Sequence, residues 1–234
     1  YKNHPYSNDS NGYINTINNI NYDDIVKEYE NFKQRDKYLL SNHEMKSLID
    51  INFQKKIKRS LIIKNKNSLN KVSNKRYSEF NLSTNQIIIM MGNQTCSHNN
   101  KDYLSLKVLE SYLSFGMSSL LFKKFREKNG LTYDIGVINP VRIDNAPFLI
   151  YLSLSPKHAQ LAFKILISIW KDICTGLIPK KELDLAKTKL KNAILNSNQN
   201  TEDIILRKVQ LIGYQMDHNF DFKSIGEFEE IDSE

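Results

Sequence analysis

Cysteine is scarce. The two cysteines of this 234-residue chain, Cys96 and Cys174, form neither a CxxC pair nor part of a Cys/His cluster. A disulfide framework and a zinc ribbon are therefore excluded, and a reducing compartment fits. The expectation is a soluble, cytoplasmic protein. No apolar run approaches the roughly 18–20 residues that cross a bilayer, so no membrane span is expected. A GxSxG elbow, a P-loop and a GxGxxG cradle are all missing, which removes the serine-hydrolase and nucleotide-binding classes that those motifs mark.

Metal chemistry is absent at the same level. A zinc site on a helix needs two ligands one turn apart, as in HExxH or HxxEH, so that both side chains converge on the ion. The histidines are His4, His43, His98, His158 and His218, and none has such a partner. "HEMKS" at His43 begins like HExxH, but Ser47 stands where the second histidine belongs. The chain is expected to hold no metal and to be catalytically incomplete by its own residues.

Acidic residues are missing from one long stretch. From Lys55 to Arg76, "KKIKRSLIIKNKNSLNKVSNKR" has no Asp or Glu, within a chain of net charge +7. Its Asn and Ser content is that of a solvated connector. No aromatic residues interleave these cations to stack bases, so nucleic acid is the poorer reading of the charge.

What is there reads as alternating helices and strands. The opening to residue 19 is rich in turn formers and is expected as a loop. "NYDDIVKEYENF" has Asp in its first turn and Ile25, Tyr29 and Phe32 at helical spacing. "DKYLLS" is expected as a short strand, and residues 43–59 as a helix. "NQIIIMMGN" reads as a buried strand. Residues 98–115 follow as a helix with Tyr103, Leu106, Leu109 and Leu113 on one side, and "MSSLLFKKFREKNG" as another that stops at Asn129-Gly130. "LTYDIGVINP" and "PFLIYLSLS" are two strands joined by "VRIDNA". Ser155-Pro156 and Pro179 start two helices, the second with an apolar stripe of Leu183, Ala186, Leu190 and Ala193. A third helix is expected from about Thr201 to Tyr214, then an acidic tail. This order predicts an α+β fold, a mixed or antiparallel sheet with helices on one face.

Around the Asn129-Gly130 stop lie the candidate site residues. Arg126 falls in the last helical turn, where a cation complements the helix dipole. Tyr133 begins the next strand. The turn folds the chain back, so a guanidinium that can hold a carbonyl or carboxylate comes near a phenol that can donate to an oxyanion. A helix-terminal charge beside a half-buried strand tyrosine explains the same residues, and on their chemistry alone both readings stand.

"SFGMSSLLFKKFREKNGLTYDIGV" resembles the central signature of the insulinase-like M16 metallopeptidases, of the bacterial two-repeat type. "HPYSNDSNGYINTINNINYDDIVKEYENF" is similar to that family's His-Pro-Tyr-Gly loop and following helix, and "KKELDLAKTKLKNAILNSNQNTEDIILRKVQLIGYQ" to its Glu-Leu-x-x-Ala-Lys helix and the next one. Leu120 stands where many relatives have Arg. The resemblance covers about residues 4–216. It implies two related α/β repeats that close a chamber around a peptide. Zinc is implied in the upstream repeat, held by HxxEH and a later Glu, and not in this segment. Carried over residue by residue, it implies that Arg126 binds the substrate backbone and that Tyr133 binds it too and stabilises the oxyanion.

The first residue is Tyr1, and the expectation is a segment of a longer chain or a chain whose front was removed. Residues 1–54 are expected to end an upstream M16-like repeat and 55–78 to form the basic connector. Residues 79–220 would be the C-terminal repeat, with 221–234 as tail. The expected function is the substrate-binding, transition-state-stabilising C-terminal part of a zinc metalloendopeptidase, inactive alone. Its partners would be a peptide substrate and an N-terminal repeat in cis or a zinc-bearing subunit in trans. The alternative is a non-catalytic M16-like subunit or scaffold.

Overall fold

Alternation along the strand Pro147–Leu154 (β3) organises the structure, a computed structural model that describes residues 7–35, 40–41, 77–81, 84–197 and 199–232. Phe148, Ile150, Leu152 and Leu154 are all buried, and the residues between them are only partly so. A strand with this period turns one face to a core. β3 is the centre of a three-stranded antiparallel sheet ordered β1-β3-β2, flanked by β1 (Ile87–Gln94) and β2 (Thr132–Ile138).

The inner face packs on helices. Leu113 of α3 (Tyr103–Ser114), Leu121, Phe125 and Leu131, and Ala162, Leu166 and Ile169 of α4 (Ala159–Thr175) form one cluster with the β3 residues. Pro156–His158 forms a 3₁₀ turn that leads into α4. A second cluster joins Val108 of α3 to Leu183, Ala186 and Leu190 of α5 (Lys180–Asn196) and to Phe228. The Ser111 hydroxyl donates to the Ala186 carbonyl at 2.8 Å and ties α3 to α5. Among the described residues the helices cover one face of the sheet, an α+β layering with an antiparallel sheet as expected.

The chain divides into two units, Tyr1–Tyr77 and Ser78–Glu234. In the first, the opening read as a loop contains a short helix, α1 (Ile14–Asn18). The expected helix is α2 (Tyr22–Gln34), started by a reciprocal cap in which Asn21 accepts from the Asp24 amide and Asp24 accepts from the Asn21 amide. The "DKYLLS" strand (residues 36–41), the helix over 43–59 and the connector over 55–78 fall mostly outside the described residues.

Three expectations in the second unit need correction. "NQIIIMMGN" is not a buried strand: among the described residues β1 pairs with β3 alone, and Ile88 and Met90 are 55% and 57% exposed. An unbroken apolar run conceals this alternation. The stripe of α5 stops at Leu190, for Ala193 is exposed and Ile194 packs in its place. The segment read as an acidic tail carries α7 (Phe220–Glu229) after α6 (Thr201–Gly213), with Phe228 fully buried against α3 and α5 residues. Arg207 of α6 grips Asp221 of α7 through Nε at 2.6 Å and Nη2 at 2.8 Å, the fork geometry that suits a carboxylate.

A dispensable tail would tolerate truncation of its side chains, whereas a buried phenylalanine does not. Phe228→Ala should lower stability by about 3–5 kcal/mol, measured by denaturant unfolding. An unchanged midpoint would return the segment to the status of a tail.

Candidate functional site

Five residues of turn separate α3 from Leu120 and Leu121, which resume helical backbone before it widens into a π-helix, Phe122–Glu127. The Lys128 amide reaches back five residues to the Lys123 carbonyl at 3.0 Å. Such wide turns are rare and collect at functional sites. The sequence reading, a plain helix over "MSSLLFKKFREKNG", did not contain it, and no propensity signal in these residues marks it.

The π-helix ends in a stop that is itself one residue wide of the ordinary form. In a Schellman stop, amides reach back five and three residues. Here the Leu131 amide donates to the Phe125 carbonyl at 2.8 Å and the Gly130 amide to the Arg126 carbonyl at 3.1 Å, spans of six and four. Gly130 takes φ +57°, the left-handed conformation that side chains with a Cβ disfavour. The Asn129 amide side chain donates to the Lys124 carbonyl at 2.7 Å, satisfying a group near the helix end. Phe125 and Leu131 are buried on either side of this turn. Arg126 is exposed, its guanidinium 5.3 Å from the centre of the Phe122 ring, a cation–π contact.

Tyr133 owes its position to a fault in the strand. Thr132 pairs with Leu154 and Asp134 with the next residue back, Ser153, so Tyr133 is an extra residue in β2. Beyond it, Ile135 and Val137 pack on the core. An unbroken alternation would carry that phase back to residue 133 and turn the tyrosine inward. The bulge instead lets buried Thr132 occupy the inward position, and Tyr133 stands 64% exposed. It is not the half-buried tyrosine of the simpler sequence reading. The two backbone bonds across the turn bring the segments bearing Arg126 and Tyr133 side by side, and no hydrogen bond joins their side chains among the described residues.

Asp134, beside Tyr133, is exposed as well, and the Tyr151 hydroxyl donates to its Oδ1 in a long 3.4 Å hydrogen bond. Tyr151 lies across Gly136, where an added Cβ would meet its ring at 2.8 Å. Partial burial, then the nearby Asp134 carboxylate, raise the Tyr151 phenol above its ordinary pKa. Sequence reasoning singled out neither Asp134 nor Tyr151. A shallow open cleft lies elsewhere, lined by residues including Tyr112, Lys123, Glu182 and Lys189, and neither Arg126 nor Tyr133 lines it.

The metal expectation can be tested on the side chains present. Among the described residues no three His, Cys, Asp or Glu come together in a group able to hold an ion. His98 is buried, with Nδ1 against the Arg142 carbonyl at 2.8 Å. These residues do not fit a zinc centre. No helix among the described residues is long and apolar enough to cross a membrane.

Residues 40–190 match the family model described as the peptidase M16 inactive domain. An uncharacterized zinc protease of Rickettsia felis is 36% identical over 85 residues, 36% of this chain and 20% of that protein. Among solved structures, the peptidase M16 inactive domain from Pseudomonas fluorescens superposes with a TM-score of 0.57 at 20% identity, covering 64% of this chain and 36% of that one. A protease from Helicobacter pylori gives 0.53 at 19% identity, covering 62% and 34%. The chain thus spans about a fifth of the length of the curated relative it matches and about a third of these two structures.

If the wide stop depends on the left-handed residue, a Cβ at position 130 carries a purely conformational cost, since nothing lies within 4 Å of it. Gly130→Ala should destabilise by about 1–2 kcal/mol and Gly130→Asn by less, because Asn tolerates this region. Equal thermal stability of wild type and both variants would sink this account of the turn.

Proposed function

Because the chain belongs to the family of peptidase M16 inactive domains, we propose that it is the zinc-free, peptide-holding part of a zinc peptidase. In this reading the C-terminal M16-like repeat begins near residue 79 and has α7 as its last helix. Residues 1–54 end an earlier related repeat, and a basic connector lies between. The metal belongs to an upstream repeat or to a separate subunit. The naming of a relative as a zinc protease supports a metal in the whole enzyme.

One observation carries the proposal: a wide π-turn, a left-handed glycine and a bulge act in succession to expose Arg126 and Tyr133 at one end of β2. A scaffold would have no use for these departures from regular structure, which favours peptide holding over a purely non-catalytic subunit. Arg126 would grip a carbonyl or carboxylate of the peptide through its fork of donors. Tyr133 would donate its phenolic proton in a hydrogen bond to the oxygen of a carbonyl under attack, where negative charge develops. Both groups bind and orient, and neither needs to change protonation state.

Tyr133→Phe should therefore lower kcat by on the order of 10²–10³ with little change in KM. The assay uses the chain together with its zinc-bearing part and a quenched-fluorescence peptide. Since Tyr133 is exposed, the variant should melt with the wild type. Wild-type kcat in the variant would remove the oxyanion role. No cleavage with any zinc-bearing M16 partner, alongside stable binding to one, would make the chain a scaffold.

A further inference from the structure

The bulge sets the tyrosine beside a residue, Asp134, that the alternation of Ile135 and Val137 already turns outward. Normal alternation would place residues 133 and 134 on opposite faces. Here both are exposed, and Asp134 takes the place opposite Ser153. It is the single charged residue in the three strands, whose sequences are IIIMMGNQ, TYDIGVI and PFLIYLSL. The strand side chains described around it on that face are neutral. Ser153 donates to the Gln86 side chain at 2.8 Å, Tyr151 lies over Gly136, and Met90 and Ile88 are exposed on β1. No ion pair joins Asp134 to Arg126 or to any other cation among the described residues.

We propose that Asp134 determines specificity by selecting a basic side chain, Lys or Arg, in a peptide held at Arg126 and Tyr133. This rests on the reading of those two residues as the peptide-holding pair. With no other charged side chain in the three strands, no neighbouring strand residue competes with Asp134 for a cation. The Tyr151 hydroxyl holds the carboxylate from one side and leaves its other lone pairs for a donor. The Tyr151 ring and Met90, paired on adjacent strands, give the aliphatic stem of a lysine an apolar floor while its ammonium reaches Asp134. Acidic side chains at the same peptide position are repelled.

The test uses three fluorescein-labelled nine-residue peptides of Ala and Ser that differ only at the centre, with Lys, norleucine or Glu. Anisotropy gives their affinities for the full chain, as wild type, Asp134→Asn, Asp134→Lys and Tyr133→Phe. The wild type should bind the lysine peptide about tenfold more tightly than the norleucine peptide, as expected of a charge-assisted hydrogen bond. Asp134→Asn keeps an acceptor for Tyr151 and should erase that preference. Asp134→Lys should shift it to the glutamate peptide, and Tyr133→Phe should retain it. A wild type that binds the lysine peptide no better than the norleucine one, whether both bind or neither does, overturns the proposal. So does a lysine preference that survives in Asp134→Asn. Turnover of the same variants with the zinc-bearing part present separates the two readings. Wild-type kcat in Tyr133→Phe removes the oxyanion role, while the affinities alone decide the role of Asp134.

Discussion

The backbone hydrogen bond from the Leu131 amide to the Phe125 carbonyl constrains the turn that carries Arg126 and leads into β2. Its two residues are buried in one cluster with the inner face of β3. The core therefore fixes both ends of a loop that contains Arg126, Lys128, Asn129 and Gly130, all exposed. With the ends pinned six residues apart, the chain between them has to bow outward. A left-handed residue at Gly130 and a side-chain bond from Asn129 make that bow affordable. Hydrophobic burial, which has no direction of its own, is converted here into a directed display of polar groups.

The bulge continues the same logic in the strand. Extended backbone alternates strictly, and a core on one side would claim every second residue of β2. Inserting one residue changes the phase once, so that Thr132 faces inward before the fault and Ile135 after it. The residues at the fault escape the core without loss of pairing on either side. The chain also bears a local cost, because the Thr132 hydroxyl is buried without a hydrogen-bond partner among the described residues. Features that cost stability and persist at one place are the usual signs of use rather than of packing.

Much of this was legible in the residues. The helices from Tyr103 and Lys180, the strands that became β2 and β3 and the stop at Asn129-Gly130 all follow from spacing and turn chemistry. The resemblance to M16 peptidases carried the fold class further than periodicity could. The parts that escaped share a cause. A π-turn differs from an α-turn by a single hydrogen-bond choice, and a bulge from a regular strand by a single residue. Neither changes composition. The exposure of Ile88 and Met90 was hidden because every residue from Ile87 to Met91 is apolar, leaving no polar positions to mark a face. In α7, Asp and Glu on the outer side masked a stripe that buries Phe228 and half-buries Ile225.

The phase change in β2 gives the site an arithmetic of its own. A strand without the fault has even parity from one end to the other, and one extra residue makes the count odd across a single point. Deleting Tyr133 would restore the even count, with Thr132 still opposite Leu154 and Asp134 still opposite Ser153. The sheet would close into a regular ladder around the gap, and the display would be gone. Within this fold, an exposed Tyr133 and a strand of unbroken alternation are separated by one residue.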